Sequence, residues 1–223
     1  MLKRLDDVLA PAELAAMRSM LATMRFEDGG VTAGAGARRV KHNLQAAGAQ
    51  LDIEPARKIV VEALMRHAEF ALYTFPLRAL PPLFSRYEPG MSYGEHTDNA
   101  IMGRDPPVRT DIAVTVFLTP PEDYDGGELT IGIDGEPETV KLRAGSAVVY
   151  EATSLHRVEP VTRGQRIAAV TWVQSFVRDA AQRELLADLA ISLRFLRTAA
   201  PTARETLLLA KSRANLMRMW SQV

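Results

Sequence analysis

The chain contains no cysteine, which rules out disulfides, thiolate zinc fingers, iron–sulfur clusters and thiol nucleophiles together. Any metal must be held through nitrogen and oxygen. Neither sign of charge is in excess: 27 Lys and Arg balance 27 Asp and Glu, and the isoelectric point is near 6.9. A general phosphate-backbone binder carries a basic surplus or stripe, so no nucleic-acid partner is expected. Long apolar runs are missing as well. The longest stretch free of charged residues, Ile167 to Val177, is 11 residues against the roughly 20 that a membrane-spanning helix needs, so no membrane partner is expected. The N-terminal Met1-Leu-Lys-Arg-Leu-Asp-Asp lacks the apolar core and cleavage site of a secretory signal, and a cytoplasmic location is the default expectation.

What is present is a chain of 223 residues, 47% hydrophobic, enough for one main core. Pro11 to Arg25 carries Leu14, Met17, Leu21 and Met24 at helical spacing, and a second helix follows Pro55 with Val61, Leu64, Met65, Ala68 and Leu72. Between them, Asp28 to Ala49 is rich in Gly and Ala, holds the basic run Arg38-Arg39-Val40-Lys41, and reads as a loop. After Pro81-Pro82 the period falls to two. Strands are predicted at Leu83–Tyr87, Asp111–Leu118, Glu128–Ile133, Thr139–Leu142, Ser146–Tyr150 and Arg166–Val173, with Asp134-Gly135 as the strongest hairpin signal. Beyond Arg178 the helical period returns with Leu185, Leu189, Leu193 and Leu196 on one face. Asp179 with Gln182, and Thr202 with Glu205, look like capping boxes that open a helical hairpin. Many short strands flanked by helices give an α+β class with a sandwich or barrel core. The expected organisation is an N-terminal helical region over 1–80 packing on the core, a β core over 81–177 and a C-terminal helical extension over 178–223.

Histidine is scarce, with only His42, His67, His96 and His156. His96-Thr97-Asp98 sets an imidazole and a carboxylate two residues apart, on the same face of an extended segment. With His156, just beyond a predicted strand, they form a two-histidine, one-carboxylate set of the kind that holds non-haem Fe(II) with three positions left open. Zinc sites use similar ligands, and a solvated surface pair is the bland account of His96 and Asp98. Arg166 opens an apolar strand, where a guanidinium is costly to bury unless it meets an anion, and its planar fork suits a carboxylate. A dicarboxylic cosubstrate fits that need; a rim salt bridge is the simpler alternative. Arg163 sits in a turn and is expected to face solvent. His67 reads as structural, and the loop bearing His42 and Asn43 is either a cover for the barrel mouth or a surface polar cluster. Asp111 is a candidate buttress for a ligand or for Arg109.

The order Arg86-Tyr87-Glu-Pro-Gly90-Met-Ser-Tyr93-Gly-Glu-His96-Thr-Asp98, then Arg109-Thr-Asp111, Tyr124-Asp-Gly-Gly-Glu-Leu129, Leu155-His156-Arg-Val-Glu-Pro-Val161-Thr-Arg-Gly164 and Arg166 resembles the PKHD-type hydroxylases. These are bacterial Fe(II)/2-oxoglutarate dioxygenases related to the prolyl 4-hydroxylase catalytic domain. The resemblance runs over nearly the whole chain, including the Val40-Lys41-His42-Asn43 loop and Trp172-Val-Gln-Ser175. It implies a double-stranded β-helix, or jelly roll, in which His96, Asp98 and His156 bind iron, Arg166 grips the distal carboxylate of 2-oxoglutarate and Tyr87 hydrogen-bonds the cosubstrate. It further implies O2 as co-reactant and the release of succinate and CO2, and it leaves open ascorbate as a further cofactor and a link to iron uptake. The chain departs from its prolyl-hydroxylase relatives where Phe117 stands in place of a second tyrosine, with Thr115 as the candidate replacement.

Two other classes compete with an oxygenase. A cupin-like binding or sensor protein would use the same pocket for a metal or small acid without turnover, and a nucleic-acid demethylase of the same superfamily is disfavoured by the neutral charge. A hydrolase has little support, since Ser154 near His156 lacks a nucleophile elbow. The apolar stripe of the C-terminal hairpin serves either as a homodimer surface or as packing onto the barrel, and packing is the simpler account.

Overall fold

The computed structural model describes residues 1–32, 34, 36–47, 53–103, 105–132 and 136–222. Its architecture follows from strands that have two apolar faces to hide. Ile112-Ala-Val-Thr-Val-Phe117 is apolar almost throughout, and all six residues are buried. Side chains alternate across a strand: Ile112, Val114 and Val116 join a core shared with the N-terminal helices, while Ala113 and Phe117 face the barrel interior. Ala147–Glu151 divides the same way, with Ala147 and Val149 outward and Val148 and Tyr150 inward, as does Arg166–Ser175, with Ala169 and Val173 opposed to Trp172.

These strands are the centre of the major antiparallel sheet, whose order is Leu2–Leu5, Ala147–Glu151, Ile112–Phe117, Arg166–Ser175, Leu83–Tyr87, Leu44–Ala46, Phe26–Asp28, with Pro76–Ala79 also paired to the long Arg166–Ser175 strand. The minor sheet runs Glu138–Val140, Leu129–Ile131, His156–Val158, Ser92–His96, Lys41–His42. Leu129, Ile131, Val140 and Val158 of the minor sheet pack on Phe117, Val148, Tyr150 and Trp172 of the major one. The result is the expected α+β jelly roll.

The helices α1 (Pro11–Thr23) and α2 (Ile53–Arg66) cover the outer face of the major sheet with Met17, Leu21, Ile53, Val60 and Leu64. The second helix does not continue to Leu72 as its periodicity suggests. It stops at His67, whose backbone is extended and whose Nδ1 accepts from the Phe70 amide at 3.4 Å, capping a separate helix α3 (Ala68–Thr74). His67 Nε2 meets the Asp6 carbonyl at 3.1 Å, so this histidine is structural, as expected. At the other end of the chain, α4 (Ala180–Ala199) and α5 (Arg204–Trp220) form the helical hairpin. Its inner face packs Leu186, Leu216, Met217 and Trp220 around Phe75 and Val177, in line with packing onto the barrel. Among the described residues, no helix is long and apolar enough to cross a membrane.

Three local expectations are corrected. The segment from Asp28 holds short edge strands and two 3-10 turns, Gly29–Thr32 and Ala37–Val40, where a loop was expected; strands of two or three residues show no period. Leu185 is exposed while Leu186 and Leu193 are buried, because the helix turns a slightly different stripe inward. Asp179 caps α4, accepting from the Gln182 amide at 2.9 Å, but α5 starts at Ala203 with no side-chain cap, leaving Thr202 outside it. The Asp134-Gly135 turn and Ile133 lie outside the described residues; Leu129–Ile131 and Glu138–Val140 pair antiparallel.

Leu64→Ala, at a site 1% exposed, is expected to lower unfolding free energy by about 2–5 kcal/mol, while Leu207→Ala, 63% exposed, stays within about 0.5 kcal/mol. Urea titration of both variants checks the assignment of the core. The same measurement separates the two caps: Asp179→Ala should cost about 1 kcal/mol and Thr202→Ala essentially nothing.

Candidate functional site

The site begins with strand register. Ser92–His96 and His156–Val158 pair antiparallel with His156 directly opposite His96, and side chains opposed in this way share a face and nearly touch. Their ring centroids are 4.2 Å apart. The strand ends at His96, and the chain then brings Asp98 round so that its Oδ1 is 3.8 Å from His156 Nε2. One ligand atom from each of the three residues falls within 4.8 Å of the others.

Both rings are oriented by the same local device. His96 Nδ1 lies 2.8 Å from the carbonyl of Gly94 and His156 Nδ1 lies 3.0 Å from that of Ser154, each two residues back. A carbonyl only accepts, so each Nδ1 donates to it, which in the neutral imidazole leaves the lone pair on Nε2. Asp98 Oδ2 is buried with no hydrogen-bond partner among the described residues. Two unprotonated nitrogens and an orphaned carboxylate oxygen in one place make a donor set that suits a divalent metal ion. The Tyr93 ring stacks on His96 at 3.6 Å, and Tyr150 meets His156 edge-on at 5.2 Å. Gly94 admits the turn that crosses it, since a Cβ there would lie 2.8 Å from Val40 Cβ.

Burial dominates the electrostatics. It lowers the His96 pKa to about 4, helped by the nearby His156 and Lys41 charges and opposed by the bond to Gly94. It raises the carboxyl of Asp98 above its ordinary value, against His156, Trp172 and Lys41. It also lowers Lys41 to about 8, against the attraction of Asp28 and Asp98. Tyr87, Tyr93, Tyr124 and Tyr150 are all raised by burial and stay protonated.

Arg166 is 2% exposed. It stands opposite Tyr87 in the sheet, its guanidinium 5.2 Å from the Tyr87 ring centre and 5.4 Å from that of Phe117, and its Nε has no hydrogen-bond partner among the described residues. Space for it depends on Gly127, where a Cβ would lie 3.0 Å from Arg166 Cδ and 2.9 Å from Val161 Cγ2. A buried guanidinium with an unpaired N–H is expensive, and a carboxylate is the group that its geometry best accepts. The His–Asp–His cluster, Arg166 and Tyr87 all line one cavity of about 800 Å3, counted out to its open mouth.

The remaining candidates sort themselves. Thr115 lines the cavity, whereas Phe117 lends its ring to Arg166. Asp111 clamps Arg109 through bonds of 2.6 and 3.0 Å and accepts from the Ser175 amide at 2.8 Å, so it buttresses the arginine. Arg163 is exposed and bridges Asp125 at 2.6 Å. His42 is exposed, and it is the preceding Lys41 that lines the cavity. Sequence reasoning missed Lys41, Tyr93, Tyr150 and Trp172, all on the cavity wall. For Tyr150 and Trp172 the signal was there, in the inward parity that each shares with Val148 and Arg166 on its strand; for Lys41 only the pairing of a two-residue strand with Ser92–His96 reveals it.

Comparison with known proteins gives this geometry its family. The 2OG-Fe(II) oxygenase superfamily matches residues 82–174. A PKHD-type hydroxylase of Acaryochloris marina is 46% identical over 222 residues, covering all of both chains. Among solved structures, a Trichoplax adhaerens prolyl hydroxylase in complex with a hypoxia inducible factor peptide fragment superposes with a TM-score of 0.60 at 16% identity, over 82% of this chain and 86% of that one. The epimerase SnoN, in complex with Fe3+, alpha ketoglutarate and nogalamycin RO, gives a TM-score of 0.55 at 19% identity, over 79% of each chain. With close full-length kinship to one group and the jelly roll of the wider superfamily, the chain belongs to the PKHD-type hydroxylases, 2-oxoglutarate- and Fe(II)-dependent oxygenases.

Proposed function

We propose that His96, Asp98 and His156 hold Fe(II), that Arg166 with Tyr87 receives the distal carboxylate of 2-oxoglutarate, and that the enzyme hydroxylates its substrate with release of succinate and CO2. The observation that carries this reading is the convergence of two histidine Nε2 atoms and the orphaned Asp98 Oδ2 in the cavity that also holds the buried Arg166 with its unpaired Nε. Fe(II) with the keto acid and O2 supplies the oxidising power: one oxygen atom goes to the substrate, and the other to the succinate left by decarboxylation.

The chain's own residues contribute coordination, orientation and exclusion of water. The two carbonyl contacts hold the imidazoles in the metal-binding tautomer before any ion arrives. Arg166, fixed between the Tyr87 and Phe117 rings, gives the cosubstrate one direction along the cavity. The Tyr87 hydroxyl, buried and protonated, offers a donor at the same end. Val158, Val170 and Leu129 line the wall between with apolar surface, which keeps the reacting groups from bulk water.

The test is succinate formation from 2-oxoglutarate by protein loaded anaerobically with Fe(II), with ascorbate as reductant, after oxygen is admitted. Wild type should form succinate and His96→Ala should form none. Arg166→Ala should raise the 2-oxoglutarate requirement about a hundredfold, the loss of one charge-assisted pair. A wild type that shows neither succinate nor an Fe(II)/2-oxoglutarate charge-transfer absorbance would instead be a binding or sensor protein.

The neutral state of His96 gives a second test, in metal-free protein. The unfolded chain takes up a proton on this imidazole near its ordinary pKa of 6.5, whereas the folded chain does so only near 4. Unfolding thus binds an extra proton between those values, and stability falls as the pH falls. Relative to His96→Phe, the wild type should lose stability from about pH 6.5 down to about pH 4 and then level off. A pH-independent difference in urea titrations would mean that His96 is not held neutral.

A further inference from the structure

We infer that Lys41 anchors an anionic oxygen group, in the simplest case a carboxylate, on the molecule that this enzyme oxidises. The inference rests on the oxygenase reading above and narrows its substrate to a chemical class.

Lys41 belongs to the two-residue edge strand Lys41–His42, which pairs with Ser92–His96 so that Lys41 stands opposite Tyr93. Its ammonium is 5.3 Å from the centre of the Tyr93 ring, and that ring stacks on His96 at 3.6 Å with 16° between the planes. A cation, an aromatic plane and a metal-binding imidazole are thus neighbours in one stretch of cavity wall. A substrate lying against Tyr93 with its acid group on Lys41 has the rest of its skeleton next to the proposed iron site.

The cosubstrate does not require this lysine. Its distal carboxylate is matched by Arg166, which sits against Tyr87 and Phe117 on the opposite sheet. A divalent ion, Asp98 and Arg166 together neutralise a dianionic keto acid, so the loaded centre presents little charge of its own. Among the described residues lining the cavity, Asp98 is the only carboxylate, and the ion that it would hold offsets its charge. Gln45 Oε1, 3.5 Å from Lys41 Nζ, and the field of Asp28 steady the ammonium. Complementary charge of this kind selects partners as well as binding them.

The experiment uses the full chain loaded anaerobically with Fe(II) and 2-oxoglutarate, with the charge-transfer absorbance as proof of loading. N-acetylglycine and its neutral analogue N-acetylglycinamide are the probes, each titrated by isothermal calorimetry and by perturbation of that absorbance. Wild type should bind the acid about tenfold or more tightly than the amide, the worth of one charge-assisted hydrogen bond. Lys41→Met should abolish that preference, and Lys41→Arg should restore it in large part. Equal binding of acid and amide, no saturable binding of the acid, or a preference that survives in Lys41→Met overturns the proposal. A weakened affinity of Lys41→Met for 2-oxoglutarate itself, with no change toward the probes, also overturns it by assigning the lysine to the cosubstrate. If the absorbance never forms in wild type, the oxygenase reading falls, and that failure is distinct from a probe that does not discriminate.

Discussion

Across the antiparallel pair of Ser92–His96 and His156–Val158, His156 stands directly opposite His96, and the whole site depends on that register. Side chains alternate along a strand, so a slip of one residue would send either imidazole to the other face of the sheet. The ladder shifts register between His156 and Val158, which stands opposite Tyr93, and Val158 packs with Leu129 and Ile131 in the barrel interior. The strand that carries His156 to the site thus also contributes to the barrel core, so site and core share one element.

That arrangement sets an unusual demand on the interior. Arg166, Asp98 and Trp172 each leave a buried polar atom without a hydrogen-bond partner among the described residues, and such groups cost stability wherever they occur. The fold offsets them on the far side of the major sheet, where Ile112, Val114, Val116, Val149 and Val173 meet α1 and α2 in an apolar core. One face of the central strands secures the fold, and the other is released for binding. This division explains why the helices are needed although none of them lines the cavity.

How much of this could be read from the sequence depended on the length of each element. Ile112–Phe117 and Arg166–Ser175 announced themselves because a long apolar run bounded by turns has few other fates. His96, Asp98 and Arg166 were legible because a scarce residue type, or a charge in an apolar run, stands out by chemistry. The strands Lys41–His42 and Leu44–Ala46 were not legible, since two or three residues carry no period, and the loop expected there concealed a piece of the cavity wall. The inward parity of Tyr150 was readable, but an aromatic in a strand is ordinary core, and only the folded barrel shows that its ring meets His156 and that Tyr93 stacks on His96. The break at His67 likewise needed Asp6, which is remote in sequence and anchors the ring.

The two halves of the cavity therefore differ in how they are encoded. Each histidine is oriented by a carbonyl two residues before it, so ring direction and tautomer are written locally and twice over. The Lys41 side of the wall has no such local device. It is placed by an edge strand that crosses Gly94, where the absence of a Cβ lets Val40 approach. A change in the segment before Lys41 can therefore move the cation relative to Tyr93 without disturbing either imidazole. Within one jelly roll, the metal-binding half can stay constant while the wall that meets the substrate varies, and specificity follows from the edge strand more than from the barrel.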